Sequence, residues 1–166
     1  MLSKKVEEAM NDQLAVELQS AYEYLAMSAY CESISLPGFA QWLRTQWQEE
    51  LDHAMRFYTF IADRDGRVDL KTLDQPQQKY SSVVEVFETA LEHERAVTQS
   101  IHKLYSLVEE EQDYAAQAWL DWFATEQVEE EKMVGQIVDT LRRIGDRGDA
   151  LFFVDRELGG RAAPGN

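Results

Sequence analysis

Six residues of types that bind metal ions lie in four separate stretches of the chain: Glu17, then Glu50 and His53, then Glu94, then Gln127 and Glu130. Each set interrupts apolar residues that recur at steps of three and four, which is the spacing of one helix face. An unpaired carboxylate is costly to bury, so these interruptions need a compensating partner. One set per helix predicts a pair of divalent or trivalent metal ions held between four helices.

The residue types also indicate which metal and which chemistry. Carboxylates with one imidazole suit Fe(II), Fe(III), Mn(II) or Zn(II), and the set offers no thiolate that would select copper. Glu50 lies centrally and is predicted to bridge two ions. Glu17 and His53 would complete one ion's site, and Glu94 and Glu130 the other. Two adjacent ferrous ions can pass two electrons to O2 without releasing superoxide.

Four further residues are of interest because of their position near this set. Tyr24 lies one to two turns beyond Glu17 on the same face, where it serves either as a hydrogen-bond or one-electron donor or as a packing residue. The other two histidines, His93 and His102, are predicted to be surface residues. Trp122 is assigned to packing.

A second acidic group surrounds the first and includes Glu49, Glu126 and Glu129 together with Glu130. Such a run is often a solvated helix face. However, Glu49 and Glu126 each precede a candidate ligand, so a third and weaker cation site is the alternative. The pattern leaves both interpretations open.

Composition excludes several classes of function. The chain has 166 residues, of which 31 are acidic and 16 basic, and its net charge of −15 argues against binding nucleic acid through a basic surface. The single cysteine, Cys31, excludes an internal disulfide and fits a reducing cytosol. Neither a signal peptide nor an apolar run long enough to span a membrane is apparent. We therefore expect a cytoplasmic protein without membrane or nucleic-acid partners.

Sparse glycine and proline predict an all-α chain whose residues 1–160 form one domain, followed by a disordered tail at 161–166. Capping and breaking residues predict five helices, at about 3–33, 37–64, 82–111, 113–144 and 149–158. A 28-residue helix is roughly 42 Å long, a length that an extended loop of about 13 residues covers. The loop at 65–80 is long enough for helices two and three to run parallel. This predicts a four-helix bundle with one long crossover and a short fifth helix.

Four blocks of the sequence resemble bacterial non-haem ferritins, and the resemblance covers nearly the whole chain. These blocks read QWQEELDHAMRF, LEHERAVTQSI, TEQVEEEK and GDALFFVDREL. Bacterioferritin would instead have a second Glu-x-x-His and a haem-ligating methionine, where this chain has Gln127 and Leu51.

The resemblance implies a ferritin-like fold and an iron centre without haem. Its implied di-iron ligands are Glu17, Glu50, His53, Glu94 and Glu130. Gln127 would lie either just outside those ligands or near the dioxygen site, and Tyr24 would have a redox role. A third iron site is implied at Glu49, Glu126, Glu129 and Glu130.

The resulting hypothesis is an iron-storage ferroxidase that uses O2 or H2O2 and assembles into a hollow shell of 24 subunits. The fifth helix has exposed apolar residues in this scheme, which neighbouring subunits would bury: Leu151, Phe152, Phe153, Val154 and Leu158. The alternative is a non-storage di-iron or di-manganese oxidase or peroxidase, which would be a monomer or dimer. A DNA-protecting shell is disfavoured by the acidic charge and by ligands that lie within one bundle.

Overall fold

The protein is all-α in the computed structural model, which describes residues 1–145 and 148–160. Its helices are α1 (Lys4–Ser33), α2 (Pro37–Asp63), α3 (Val83–Glu110), α4 (Tyr114–Ile144) and α5 (Gly148–Gly159). The predicted helices and their boundaries are confirmed to within one or two residues. The predicted disordered tail at 161–166 lies outside the described residues.

Side-chain caps start three of the long helices. The Ser82 hydroxyl accepts from the Glu85 amide at 3.2 Å, and the Asp113 carboxylate accepts from the Ala116 amide at 3.0 Å, which confirms two predicted caps. The Ser3 hydroxyl accepts from the Val6 amide at the start of α1 in the same way. Each cap satisfies an amide that the first helical turn leaves without a partner.

The first three long helices end at residues that are not glycine. Ser35, Asp65 and Gln112 have φ of 61°, 56° and 54°, in the left-handed region. In each case the next residue's amide bonds back to the last turn of its helix, as for the 3.0 Å contact from Leu36 N to Cys31 O. This closing turn usually takes glycine, so here it carries some backbone strain.

The crossover between α2 and α3 runs along the length of α1. Asn11 accepts from the Asp69 amide at 2.7 Å, and Gln19 accepts from the Asp74 amide at 2.9 Å. Near the far end of α1, the rings of Tyr30 and Tyr80 lie 5.2 Å apart. Since the crossover thus traverses the bundle, α3 begins beside the start of α2 and runs parallel to it.

Two apolar clusters fill the bundle, one toward each end. One contains Tyr24, Leu43 and Phe87 along with the buried Cys31, and the other contains Leu14 and other apolar side chains. Along every long helix, the candidate ligands fall between the stretches that supply the two clusters. The polar centre is therefore a layer between two apolar cores.

The fifth helix packs on the start of α2. A Cβ at Gly38 would lie 1.7 Å from the Asp155 carbonyl oxygen, so only glycine allows this approach. The buried Asp155 carboxylate accepts from the Phe39 amide at 3.0 Å, while Leu36 supplies no side-chain cap. A residue of α5 thus caps α2 from 116 positions away.

The prediction that five apolar residues of α5 are exposed was wrong for three of them. The side chains that pack against the chain's own core are Leu151, Val154 and Leu158. Phe152 and Phe153 remain exposed, at 57% and 70%. The close packing on Gly38 turns one face of α5 inward. None of the described helices is both long enough and apolar enough to cross a membrane.

Candidate metal centre

The first hairpin, α1 with α2, brings Glu17, Glu50 and His53 together. Each offers one ligand atom, and these atoms lie within 4.8 Å of one another. His53 Nδ1 is 3.4 Å from Glu50 Oε2 and 3.9 Å from Glu17 Oε2. Because Glu50 and His53 are separated by one helical turn, they project to the same side of α2. The three side chains converge on a space of the size that one cation requires.

These carboxylates are buried and incompletely hydrogen-bonded. Glu17 and Glu50 are each 1% exposed, and Oε2 of both accepts no hydrogen bond from the described residues. Burial, followed by the charge of Glu50, raises the pKa of Glu17 well above its usual range. Burial and then the charge of Glu94 do the same to the pKa of Glu50. A bound cation would favour the ionised carboxylates and satisfy the free oxygens.

The second hairpin, α3 with α4, contributes Glu94 and Glu130, which are both buried. The Tyr24 hydroxyl donates to Glu94 Oε1, and Gln127 Nε2 donates to Glu94 Oε2 at 3.2 Å. Gln46 Nε2 donates to Glu130 Oε2 at 2.9 Å. Both carboxylates are therefore held by neutral donors, which orient them without compensating their charge.

Electrostatics in this second half follow from burial and crowding. Burial, with the charge of Glu94 next in size, raises the pKa of Glu130 to about 8. The same two causes raise the pKa of Tyr24 well above its usual range. The Tyr24 phenol thus keeps its proton at neutral pH and donates it in a hydrogen bond. Its position against Glu94 supports the donor alternative over packing alone.

Two buried glutamines in this layer were missed by the sequence analysis. Gln13 Nε2 donates to Glu17 Oε1 at 2.8 Å, and Gln46 holds Glu130 as described. Each lies four residues before a candidate ligand of its own helix, Glu17 or Glu50, and so shares its face. That spacing is the signal that could have found them.

A groove between α2 and α4 leads from the surface to His53. It has a volume of about 500 Å³, and its lining includes Glu49, His53, Trp122 and Glu126. The rings of Trp122 and His53 meet edge to face with centroids 5.4 Å apart, and the Arg56 guanidinium lies 3.9 Å from the centroid of Trp122. Trp122, assigned to packing from the sequence, therefore also borders the centre.

The structure brings together part of the proposed third site. Glu49 and Glu126 line the same groove, and the negative charge of each contributes to the raised pKa of Glu130. Glu129 is exposed on α4 and is not among the residues that line the groove. Two of the four predicted residues thus line the groove, while Glu130 is buried near them and Glu129 is exposed outside it.

The prediction of two surface histidines was wrong for one of them. His102 is exposed, whereas the side chain of His93 is only 17% exposed and lies in the seam between α1 and α3. Its Nδ1 is 2.9 Å from Glu23 Oε2. Burial lowers the pKa of His93, but the hydrogen bond and charge of Glu23 outweigh burial, so that pKa is raised overall.

Fold and centre together define a class. A single-crossover bundle with Glu from two helices and Glu-x-x-His from a third is similar to the carboxylate metalloproteins built on four helices, with Gln-x-x-Glu in place of their second Glu-x-x-His.

Comparison with known proteins identifies the family. The ferritin-like domain pattern of the ferritin family matches residues 7–144. A bacterial non-heme ferritin of Staphylococcus aureus (strain USA300) is 39% identical over 161 residues, which is 97% of each chain. The bacterial non-heme ferritin of Staphylococcus haemolyticus (strain JCSC1435) is 38% identical over 98% of each chain. The chain belongs to the ferritin family.

Solved structures agree with this assignment. An Archaeoglobus fulgidus ferritin engineered into a closed form superposes with a TM-score of 0.97 at 44% identity, over 99% of this chain and 100% of the other. An open-pore ferritin from the same archaeon gives 0.96 at 45% identity, over 97% and 98%. The predicted ferritin-like bundle is confirmed, and family membership supports iron binding and iron storage in general terms.

Proposed function

We propose that this protein is an iron-storage ferroxidase, which oxidises Fe(II) to Fe(III) with O2 or H2O2 at a paired centre. The observation that carries the proposal is the buried cluster of Glu17, Glu50 and His53, in the same polar layer as Glu94 and Glu130 of the second hairpin. The described hydrogen-bond and ion-pair partners of these carboxylates include no lysine or arginine, so a bound cation is what would stabilise their ionised form.

Each side chain has a role in this scheme. Glu17 and His53 bind the first Fe(II), Glu94 and Glu130 bind the second, and Glu50 bridges the two. Each Fe(II) gives up one electron, so a pair reduces O2 to the level of peroxide. Tyr24, hydrogen-bonded to Glu94, is placed to steady that carboxylate or to supply a further electron.

Gln127 holds Glu94 in place and leaves the second ion without an imidazole ligand. A carboxylate-rich site of this kind stabilises Fe(III) relative to Fe(II) and so favours the oxidation step. Because Leu51 stands where bacterioferritin would have a haem-ligating methionine, we propose an iron centre without haem.

Fe(II) reaches the centre, in this proposal, through the groove that His53 borders. Glu49 and Glu126 line its mouth beside the buried Glu130, and Glu129 extends the acidic surface beyond it. A third and weaker iron site at these four residues would relay iron between the centre and the store.

Storage requires a hollow assembly, and we propose a cytoplasmic shell of 24 copies in which residues 1–160 form one domain. The bacterial non-heme ferritins that match nearly the whole chain support storage. The exposed Phe152 and Phe153 of α5 support burial between subunits.

Replacing single ligands tests the ferroxidase proposal. His53→Ala and Glu94→Ala should each slow rapid Fe(II) oxidation more than about tenfold, because a two-metal reaction needs both ions in place. Stopped-flow absorbance measures the ferric product. Matched controls on the exposed face of α3, His102→Ala and Glu92→Ala, should leave the rate unchanged. Undiminished rates in both ligand variants would contradict the proposal.

Assembly mass separates storage from the alternative. Multi-angle light scattering should give the mass of 24 copies of a 19.2 kDa chain, with capacity for many irons per chain. A monomer or dimer that holds a few irons per chain would favour the non-storage oxidase or peroxidase.

A further inference from the structure

The two halves of the centre belong to different hairpins, so their spacing depends on how the hairpins are aligned. Glu17, Glu50 and His53 come from the first hairpin, while Glu94 and Glu130 come from the second. Among the described helices, the hairpins approach each other within 8 Å between Cα atoms through α1 and α3. The helices α2 and α4 meet only through longer side chains, such as Gln46 and Glu130. The seam between α1 and α3, where the backbones come closest, therefore helps to set the position of the second half relative to the first.

Three polar side chains meet at this seam, directly outside the candidate ligands. We name Ser20, Glu23 and His93 the outer clasp. His93 Nε2 is 2.5 Å from Ser20 Oγ, and His93 Nδ1 is 2.9 Å from Glu23 Oε2. Ser20 is fully buried, and the Glu23 side chain is 24% exposed. A single imidazole of α3 thus bonds to two residues of α1.

The clasp is close to the ligands in the chain as well as in space. His93 immediately precedes Glu94, and Ser20 lies one turn from both Glu17 and Tyr24. On the inner side of the same seam, Tyr24 donates to Glu94. A contact on one side of the seam alone would still allow α3 to rotate about that contact. Because contacts lie on both sides, they oppose both sliding and rotation of α3 relative to α1.

The clasp itself is anchored to the rest of the molecule. Gln19 Nε2 donates to Glu23 Oε1 at 3.1 Å, and Gln19 also bonds to the backbone of Asp74 in the crossover. Glu23 accepts from His93 Nδ1, and the Ser20 hydroxyl can either donate to Nε2 or accept from it. Both contacts therefore persist in either charge state of the imidazole.

We propose that Ser20, Glu23 and His93 are positioning residues, which hold α3 in register with α1 and so set the place of Glu94 in the paired centre. This inference rests on the proposed function. A hydrolytic role for the Ser–His–Glu arrangement is excluded, because Ser20 is 0% exposed and no substrate reaches its hydroxyl.

Variants of His93 test the proposal in the assembled, metal-free protein. His93→Leu removes both contacts, whereas His93→Gln keeps a donor and an acceptor. The probe is anaerobic Co(II), titrated by absorbance and calorimetry. His93→Leu should lower the affinity for the second Co(II) on the order of tenfold, which is the usual cost of losing a supporting hydrogen bond around a metal site. The first Co(II) should bind unchanged, and His93→Gln should restore most of the second affinity.

His102→Leu, on the exposed face of the same helix, is the matched control and should leave both affinities unchanged. If His93→Leu binds both ions as the unaltered protein does, or loses both affinities equally, the positioning role is wrong. Ser20→Ala provides the same test should His93→Leu fail to assemble. It removes one of the two contacts and should weaken binding of the second ion by less than the roughly tenfold expected for His93→Leu. Unchanged second-ion affinity in Ser20→Ala would then overturn the proposal. Failure of the unaltered protein to bind two ions would instead overturn the proposed function.

Discussion

The two halves of the proposed centre differ in how far they are assembled before a cation arrives. In the first half, Glu17, Glu50 and His53 already offer three atoms within 4.8 Å, and two carboxylate oxygens accept no hydrogen bond from described residues. In the second half, Glu94 and Glu130 are each engaged by neutral donors. The first half presents oxygens that have no described hydrogen-bond partner, whereas in the second half a cation must bind beside hydrogen bonds that already occupy part of each carboxylate. We therefore expect the first ion to bind more tightly.

The largest effect is expected from removing the residue that both halves share. Glu50→Ala should abolish paired binding and slow rapid Fe(II) oxidation on the order of a hundredfold or more, because it deletes the bridge. Stopped-flow oxidation and calorimetry measure the two consequences. Glu49→Ala is the matched neighbour and should keep the fast phase while weakening only the third site. Equal losses in the two variants would contradict the difference in role.

The next largest effect is a pH dependence of stability that is caused by Glu130 in the second half of the centre. The pKa of Glu130 is about 8 in the folded protein, above its unfolded value, so the metal-free folded state retains a proton that the unfolded state releases. The protonated Glu130 side chain therefore makes its full contribution to the free energy of unfolding below about pH 4.5. That contribution is lost as the pH rises to about 8. Relative to Glu130→Gln, the metal-free protein should lose a few kcal/mol over this window.

Chemical denaturation of both proteins at several pH values measures this difference. Glu129→Gln, the exposed neighbour, should follow the unaltered protein. A divalent cation should reverse the trend, since it binds the ionised carboxylates and stabilises the fold more as pH rises. A pH-independent difference between the unaltered protein and Glu130→Gln would contradict the assignment of a raised pKa.

The smallest effect distinguishes the two supporting glutamines. Gln13→Leu should lower the affinity for the first ion, and Gln46→Leu should lower the affinity for the second ion. Each loss should be on the order of tenfold, because each variant removes one hydrogen-bond donor to a ligand. Titration with Co(II) resolves which ion is affected. If both variants weaken the same ion, the two halves are not as separate as the contacts indicate.

Helix periodicity made the bundle and the candidate ligands predictable. A carboxylate in an apolar stripe stands out from local sequence alone, so the inward position of Glu17, Glu50 and Glu94 was predictable without any contact information. The spacing of Glu50 and His53 placed both on one side of α2. The crossover was predictable from its length.

Residues whose role depends on distant partners were not predictable. His93 looked like a surface histidine because its partners, Ser20 and Glu23, lie about 70 positions away on another helix. Nothing in the local sequence shows that the lack of a side chain at Gly38 allows Asp155 of α5 to approach. Periodicity reports which face of a helix is buried and does not report what meets that face.

Counting the ions that react in the fast phase tests the paired centre most directly. Fe(II) is added to the assembled metal-free protein in oxygenated buffer, and ferric product and oxygen consumption are followed together. We expect a fast phase that ends at two Fe(II) per chain with one O2 consumed per pair. A fast phase that ends at one Fe(II) per chain, or none at all, would contradict it.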